Sequence, residues 1–431
     1  MSSTLYIVEL SDLHHDCLQS LVELAVVARG QSGRNPFQKI VVITREASFR
    51  KLSANFKTYA QQQSVEFQIF ASKADSKTPS GIADKIAFQE VIKREIWKEA
   101  KERLRFRSGD FVIFVTAEMF MSPLLFRIAA MAKLRGAKVI PEVHNVFIYF
   151  PSVIKPEDVE AIRNFYLSGY EIVVDKFGKI GRYAVLVRKK YLNDFTRRVG
   201  RLADGFILPS IHMVFPKVKR PVMRLLTRFP TDESLSRRKA ILEQLAESDE
   251  VVFTVPGQVS EKRRNYDEVL DALTRLSDKK FKMVLLGRLT SHEVARRIRT
   301  LPARIRAKVL TFENFIDEET YQDRLLRSHY ILMPIFFPYG RFKTTGAIGD
   351  AIQMGIPMIL PEHAVPQKVI PHKSYRKGEL ADLLAELMDL SNYKSVAMQA
   401  IQFSERFTID KMADAFNRFL WSVEGHGGPG R

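Results

Sequence analysis

Cysteine is almost absent: Cys17 is the single one in 431 residues. No intramolecular disulfide and no multi-cysteine zinc site can form, and a reducing compartment is expected. Long apolar runs are missing too. The longest apolar region, 111–132, is interrupted by Glu118 and Arg127, and reads as a buried strand followed by a helix rather than a membrane span. Met1-Ser2-Ser3-Thr4 passes straight into a strand-like Leu5-Tyr6-Ile7-Val8, without the basic start and apolar core of a secretory signal. A cytoplasmic protein is the expectation. No strand leads into the glycine fingerprint of dinucleotide enzymes or the phosphate loop of NTPases. The nine histidines lack zinc spacing and no Asp-x-Asp pair sits at a strand end, so no metal is expected.

Acidic residues are in deficit as well, 49 against 67 basic ones, a net charge of +18. The excess is uneven. Between Arg182 and Arg228 lie twelve basic residues, opposed only by Asp194 and Asp204. Such a stripe attracts an anionic membrane surface, a nucleic acid or a polyanionic substrate.

What is present is ample core, 46% hydrophobic residues, in an alternation of strand and helix signals. Strands are expected at 5–9, 39–43, 67–70, 111–115, 138–141 and 206–208, with helices between them. A hairpin of 170–174 and 183–187 is expected inside an insertion at about 151–190. After a polar segment, 231–250, the alternation restarts with strands at 251–255, 282–286, 307–310, 330–334 and 358–360. Two Rossmann-like α/β domains follow, 1–223 and 224–405, then a last helix, 406–424, and a flexible tail, 425–431.

Ligands of such folds gather at the carboxyl ends of strands. The most telling stretch there is Lys343-Thr344-Thr345-Gly346-Ala347-Ile348-Gly349-Asp350, a small-residue loop opening a helix, whose free N–H groups and dipole suit a phosphate. Asp350, one turn on, could hold ribose hydroxyls. A second group, Gly257-Gln258 followed by Lys262, Arg263 and Arg264, offers cations at a helix start for a diphosphate. His14 and His15 follow the first strand beside Asp12 and Asp16. His144-Asn145 follows the fifth, with Glu142 nearby. Each histidine is a candidate general base, against an ordinary surface side chain for His14 and His15 and a core or capping one for His144. The loop of Phe315 could hold an aromatic base.

These segments resemble the large retaining group of GT-B glycosyltransferases. Asp350-Ala351 with Gly355-Ile356-Pro357 resembles that family's Glu-Ala-Met-Ala-x-Gly-x-Pro segment, Pro256-Gly257-Gln258 through Arg263 its Gly-Arg-Leu…Glu-Lys segment, and Pro141-Glu142-Val143-His144-Asn145 its acceptor-side histidine turn. Val284-Leu285-Leu286-Gly287 and Phe407–Met412 resemble its next strand turn and its final crossover helix. Gln258 stands where the family has Arg, Arg263 where it has Lys, and Phe342 where its first glutamate falls. Ser11–His15 replaces its Gly-Gly loop.

The resemblance implies two facing Rossmann-like domains with a C-terminal helix crossing back to the first. The second domain would bind a UDP- or GDP-sugar through Gly257, Gln258, Lys262, Arg263, Phe315, Lys343, Thr344, Thr345, Gly346 and Asp350. The first would bind a saccharide acceptor, with no metal required, and with His14, His15 or His144 as base or positioning group. No cofactor is implied beyond the donor substrate. A lipid-linked acceptor and docking of the basic stripe on the inner membrane face complete the expectation, in polysaccharide or glycoconjugate synthesis. The rival readings are a non-catalytic binding protein of a polysaccharide assembly complex, suggested by Gln258 and Phe342, and a nucleic-acid binder, suggested by the stripe alone. A sugar-nucleotide epimerase is more distant.

Overall fold

The computed structural model describes residues 3–11, 14–31, 35–73, 82–167, 171–261, 263–336, 339–343, 345–364 and 370–425. The chain divides into two compact units. The first holds Met1–Pro209, Phe215–Thr227 and Ile409–Arg431; the second holds Ser210–Val214 and Arg228–Thr408.

In the first unit, strands β1 (Thr4–Glu9), β2 (Lys39–Arg45), β3 (Glu66–Phe70), β4 (Phe111–Phe114) and β5 (Lys138–Pro141) form a parallel sheet in the order β3-β2-β1-β4-β5. Leu5 pairs with Ile40 on one side and Phe111 on the other. β1, β2 and β4 are nearly unbroken apolar runs because helices cover both faces of the sheet. Two short strands, β6 (Phe206–Leu208) and β7 (Val222–Arg224), pair in parallel. The Val143 N–H donates to the Ile207 carbonyl at 2.8 Å, which joins them to the β5 edge.

The expected hairpin is not formed. Glu171–Leu202 is one 32-residue helix. Val185, Leu192, Asn193, Thr196 and Val199 are buried, a helical period that overrides the strand-like look of Tyr183-Ala184-Val185-Leu186-Val187. Residue 170, the start of the other expected strand, lies outside the described residues. The final helix, Ile409–Glu424, belongs to this unit: Asn417 Nδ2 donates to the Ala28 carbonyl at 2.9 Å, and Phe416 meets Phe37 edge-on.

In the second unit, β8 (Val251–Pro256), β9 (Phe281–Arg288), β10 (Val309–Phe312), β11 (Tyr330–Leu332), β12 (Met358–Pro361) and β13 (His372–Tyr375) run parallel in the order β10-β9-β8-β11-β12-β13. The segment expected to be a polar connection carries a helix, Asp232–Ala240, because Thr231 and Ser234 close a reciprocal capping box. β10 starts two residues later than expected. β13 and β7 carry no apolar alternation and were not foreseen. Arg238 and His329 are buried in this unit. The Arg238 guanidinium reaches the Tyr393 hydroxyl at 2.6 Å and also the Leu326 carbonyl.

Both sheets reverse their strand order once, between β1 and β4 and between β8 and β11. At such a reversal the loops diverge and leave a crevice at the carboxyl ends.

Candidate functional site

At the carboxyl end of the first sheet the side chains are acidic, imidazole and buried. β1 ends on Glu9, which accepts the Ser11 N–H at 2.7 Å and also the Ser11 hydroxyl. Glu118, after β4, accepts the backbone N–H groups of His144 (3.1 Å) and Asn145 (2.9 Å), and so fixes the turn after β5. The His144 Nε2 lies 2.7 Å from the Val115 carbonyl, which can only accept, so Nε2 carries the proton. The same nitrogen is 3.4 Å from a Glu142 oxygen. His14 precedes the helix His15–Gly30, and its ring stacks on that of His144 with centroids 3.9 Å apart and planes 9° apart. His15 is the first helical residue and is half-buried.

Burial, then the neighbouring Glu9, push the Glu142 carboxyl well above the usual carboxylate range, against the Cys17 thiol that hydrogen-bonds it; Glu118 adds to the push. Burial and Glu142 push the Cys17 thiol up in turn. Ligand-capable atoms of His14, Cys17 and His144 lie within 4.8 Å of one another. A metal bound by an imidazole lies near the ring plane, and two nearly parallel stacked planes share no nearby point. The trio could hold an ion only after one ring turned. As it stands, Cys17 is hydrogen-bonded to Glu142 and His144 to the Val115 carbonyl.

The carboxyl end of the second sheet is cationic and open. Gly257, with φ of 89°, turns the chain after β8. Gly287 lies against it so closely that a Cβ would sit 2.3 Å from the Gly257 carbonyl oxygen. Arg264 Nη1 donates to the carbonyls of Gly257 (3.0 Å) and Gln258 (3.1 Å), so this guanidinium braces the turn. Arg263 is placed differently: its guanidinium and the Lys343 ammonium both lie over the Tyr339 ring, at 5.9 and 5.6 Å. Helix Gly346–Met354 starts just beyond, with Thr345 at its cap making no side-chain cap bond and open space around Gly346. Two cations and an open helix start therefore stand together.

The turns after β8 and β9 border a cavity of about 260 Å³, lined among others by Gln258, Arg288, Phe315, Glu318 and Tyr321. The Arg288 guanidinium is 5.4 Å from the centroid of Phe315, which is 85% exposed and offers a flat face to a planar ring. Gln258 donates to the Thr290 hydroxyl at 3.0 Å. Phe342 is fully buried. Lys262 and Thr344 lie outside the described residues.

No protein-family model matches the chain, and no curated protein matches it by sequence. Solved structures do. The Anabaena protein HepE, in complex with UDP and glucose, aligns over 97% of this chain and 100% of its own, with a TM-score of 0.58 at 13% identity. The α,α-trehalose 6-phosphate synthase of Burkholderia multivorans aligns over 99% of both, with a TM-score of 0.57 at 10% identity. The lipopolysaccharide outer core galactosyltransferase WaaB, in its apo form, aligns over 97% of this chain and 99% of its own, with a TM-score of 0.53 at 12% identity.

The fold is GT-B. Within this GT-B chain, sequence reasoning named His14 and His144 without their stacking, and missed Glu9, Glu118 and Cys17 beside them. An acid closing an apolar strand, as Glu9 closes β1, was the available signal. In the second unit it missed Tyr339, Arg288, Arg228, Glu318 and Tyr321, which carry no motif. It named Arg263 for the diphosphate and gave Arg264 no separate role; the structure has Arg264 bracing the Gly257–Gln258 turn.

Proposed function

We propose that the protein transfers a sugar from a nucleotide-diphosphate donor to a saccharide acceptor. The observation that carries this reading is the pairing of Arg263 and Lys343 on the Tyr339 ring beside the open start of helix Gly346–Met354. Fixed cations and a helix N-terminus stabilise a diphosphate as it leaves and gathers charge, and need no metal to do so. Phe315 and Arg288 supply a stacking face for the base, which reads as uracil or guanine. The first unit receives the acceptor hydroxyl, with His14, His15 or His144 as base or positioning group. That structures of the same fold include proteins solved with UDP and glucose supports a nucleotide-sugar donor.

The acceptor is read as a lipid-linked saccharide, used in polysaccharide or glycoconjugate synthesis at the inner membrane face. The support is the helix Glu171–Leu202, on which Tyr183, Val187 and Tyr191 are exposed one turn apart, among Lys190, Arg198 and Arg201. Among the described residues no helix is long and apolar enough to cross a membrane.

Calorimetric titration of UDP, GDP and their sugars against the wild type and Arg263→Ala, without metal, tests the donor reading. Binding of one nucleotide family, weakened about 10- to 100-fold in the variant, is expected for the loss of a charged hydrogen-bond partner. Absence of binding to all of them would overturn it. A second reading, a non-catalytic binder, draws on one observation: Phe342 is buried where the first glutamate of the family it resembles falls. Tight nucleotide binding without hydrolysis or transfer on any acceptor would favour it.

A further inference from the structure

Asp350 is the residue that the resemblance implies for the donor ribose, yet it is not among the residues that line the cavity. It is 7% exposed. One of its oxygens accepts the Tyr321 hydroxyl at 2.7 Å, and the other lies 3.5 Å from Arg228 Nε. Tyr321 and Arg228 do line the cavity, with the guanidinium 6.0 Å from the ring centroid. From Arg228 the chain of contacts goes one step further outward: Nη1 donates to Glu318 Oε1 at 3.0 Å. Glu318 lines the cavity and its side chain is 61% exposed.

A carboxylate that accepts hydroxyls from a ligand has to reach the ligand. Asp350 is engaged with two side chains that themselves form the cavity wall. Glu318 stands on the cavity side of the same network. We propose that Glu318, held in place by Arg228, is the group that accepts the ribose hydroxyls of the donor, and that Asp350 is a positioning residue for Tyr321 and Arg228. The inference rests on the nucleotide-donor reading above.

The local chemistry suits the role. Glu318 is the first residue of helix Glu318–Leu326, whose start is fixed by Asp317 accepting the Thr320 N–H at 2.8 Å. Gln322 Nε2 and Arg228 both donate to Oε1, at 2.8 and 3.0 Å. That leaves Oε2 to accept a hydroxyl of the ribose diol. The Tyr321 ring gives the sugar an apolar wall, and its hydroxyl is turned away to Asp350. Burial, then Asp350, raise the Tyr321 phenol well above its usual range, so it stays a donor to that carboxylate at any working pH.

The test compares UDP and GDP with their 2′-deoxy and 3′-deoxy forms by calorimetry, on the full chain, in the wild type, Glu318→Gln and Asp350→Asn. The wild type is expected to prefer the ribose form by about tenfold, as one charge-assisted hydrogen bond provides. In Glu318→Gln that preference should fall to within about twofold, with deoxy-nucleotide affinity unchanged. In Asp350→Asn both forms should weaken together and the preference should remain. Loss of the preference in Asp350→Asn with its retention in Glu318→Gln overturns the proposal, as does a wild type that binds nucleotides without preferring ribose. A wild type that binds no nucleotide removes the donor reading and this inference with it. If Asp350→Asn does not fold, Tyr321→Phe breaks the same clamp and carries the same expectation.

Discussion

The two sheets share one strand order and end in opposite chemistry. After β1, β4 and β5 the first unit buries carboxylates and imidazoles: Glu9, Glu118, Glu142 and His144 are each at most 3% exposed. After β8, β9 and β11 the second unit presents Arg263, Arg288 and Lys343 around open space. The backbone thus supplies the same platform twice. The difference lies in the few residues just past each strand, buried carboxylates and imidazoles in one unit and cations in the other.

The largest test of this comparison breaks the platform in one unit only. Gly287→Ala places a methyl 2.3 Å from the Gly257 carbonyl oxygen, against backbone that cannot yield. A loss above about 3 kcal/mol is expected. Hydrogen exchange should show β8 and β9 opening while β1 and β4 stay protected; equal opening of both sheets would contradict independent units.

Next is the pH dependence, which should have opposite sign in the two units. His329 accepts the Val252 N–H on Nδ1 (3.0 Å) and donates from Nε2 to the Leu245 carbonyl (2.9 Å). Burial lowers its pKa to about 4. Below about 6.5 the unfolded chain takes up a proton that the folded one refuses, so the second unit loses up to about 3 kcal/mol as pH falls towards 4. Glu142 does the reverse. Its raised folded pKa means the folded first unit holds a proton that the unfolded chain has released, so stability falls as pH rises above the ordinary glutamate range. Urea unfolding from pH 4.5 to 8 should resolve the two slopes, and Glu142→Gln should flatten only the second.

A smaller effect sharpens the contrast in buried charge. Tyr393→Phe removes one acceptor of the buried Arg238 and should cost about 1–3 kcal/mol, read as a fall in the urea midpoint. Smallest of all, Lys190→Glu on the exposed face of Glu171–Leu202 should change stability by no more than about 0.5 kcal/mol. It should nonetheless reduce retention on anionic vesicles if the membrane reading holds, since charge there acts on a partner rather than on the fold.

The architecture was largely legible because apolar strands such as Ile40–Ile43 and Phe111–Phe114 bury both faces and leave little ambiguity. Reading 170–187 as a hairpin failed because a short run, Tyr183–Val187, fits both periods; only the longer spacing of Val185, Leu192 and Val199 decides for a helix. β13 escaped notice because an edge strand of His372-Lys373-Ser374-Tyr375 is held by backbone bonds to β12, not by side-chain pattern. Candidate residues could be named from sequence where one segment carries them, as in 343–350. The site was opaque where residues far apart in the chain converge, as Glu9, Cys17, Glu118 and His144 do, because contact across loops leaves no local trace.

The placement of helix Ile409–Glu424 has a consequence for synthesis. The first unit to be translated is not the first that can be completed. Phe416, which packs on Phe37, and Asn417, which holds the Ala28 carbonyl, leave the ribosome only after the whole of the second unit. The second unit needs only Ser210–Val214 and the continuous stretch Arg228–Thr408. During translation the early half must wait, with an apolar helix face uncovered, for helix Ile409–Glu424. A nascent chain halted before residue 409 is therefore the form most in need of a chaperone.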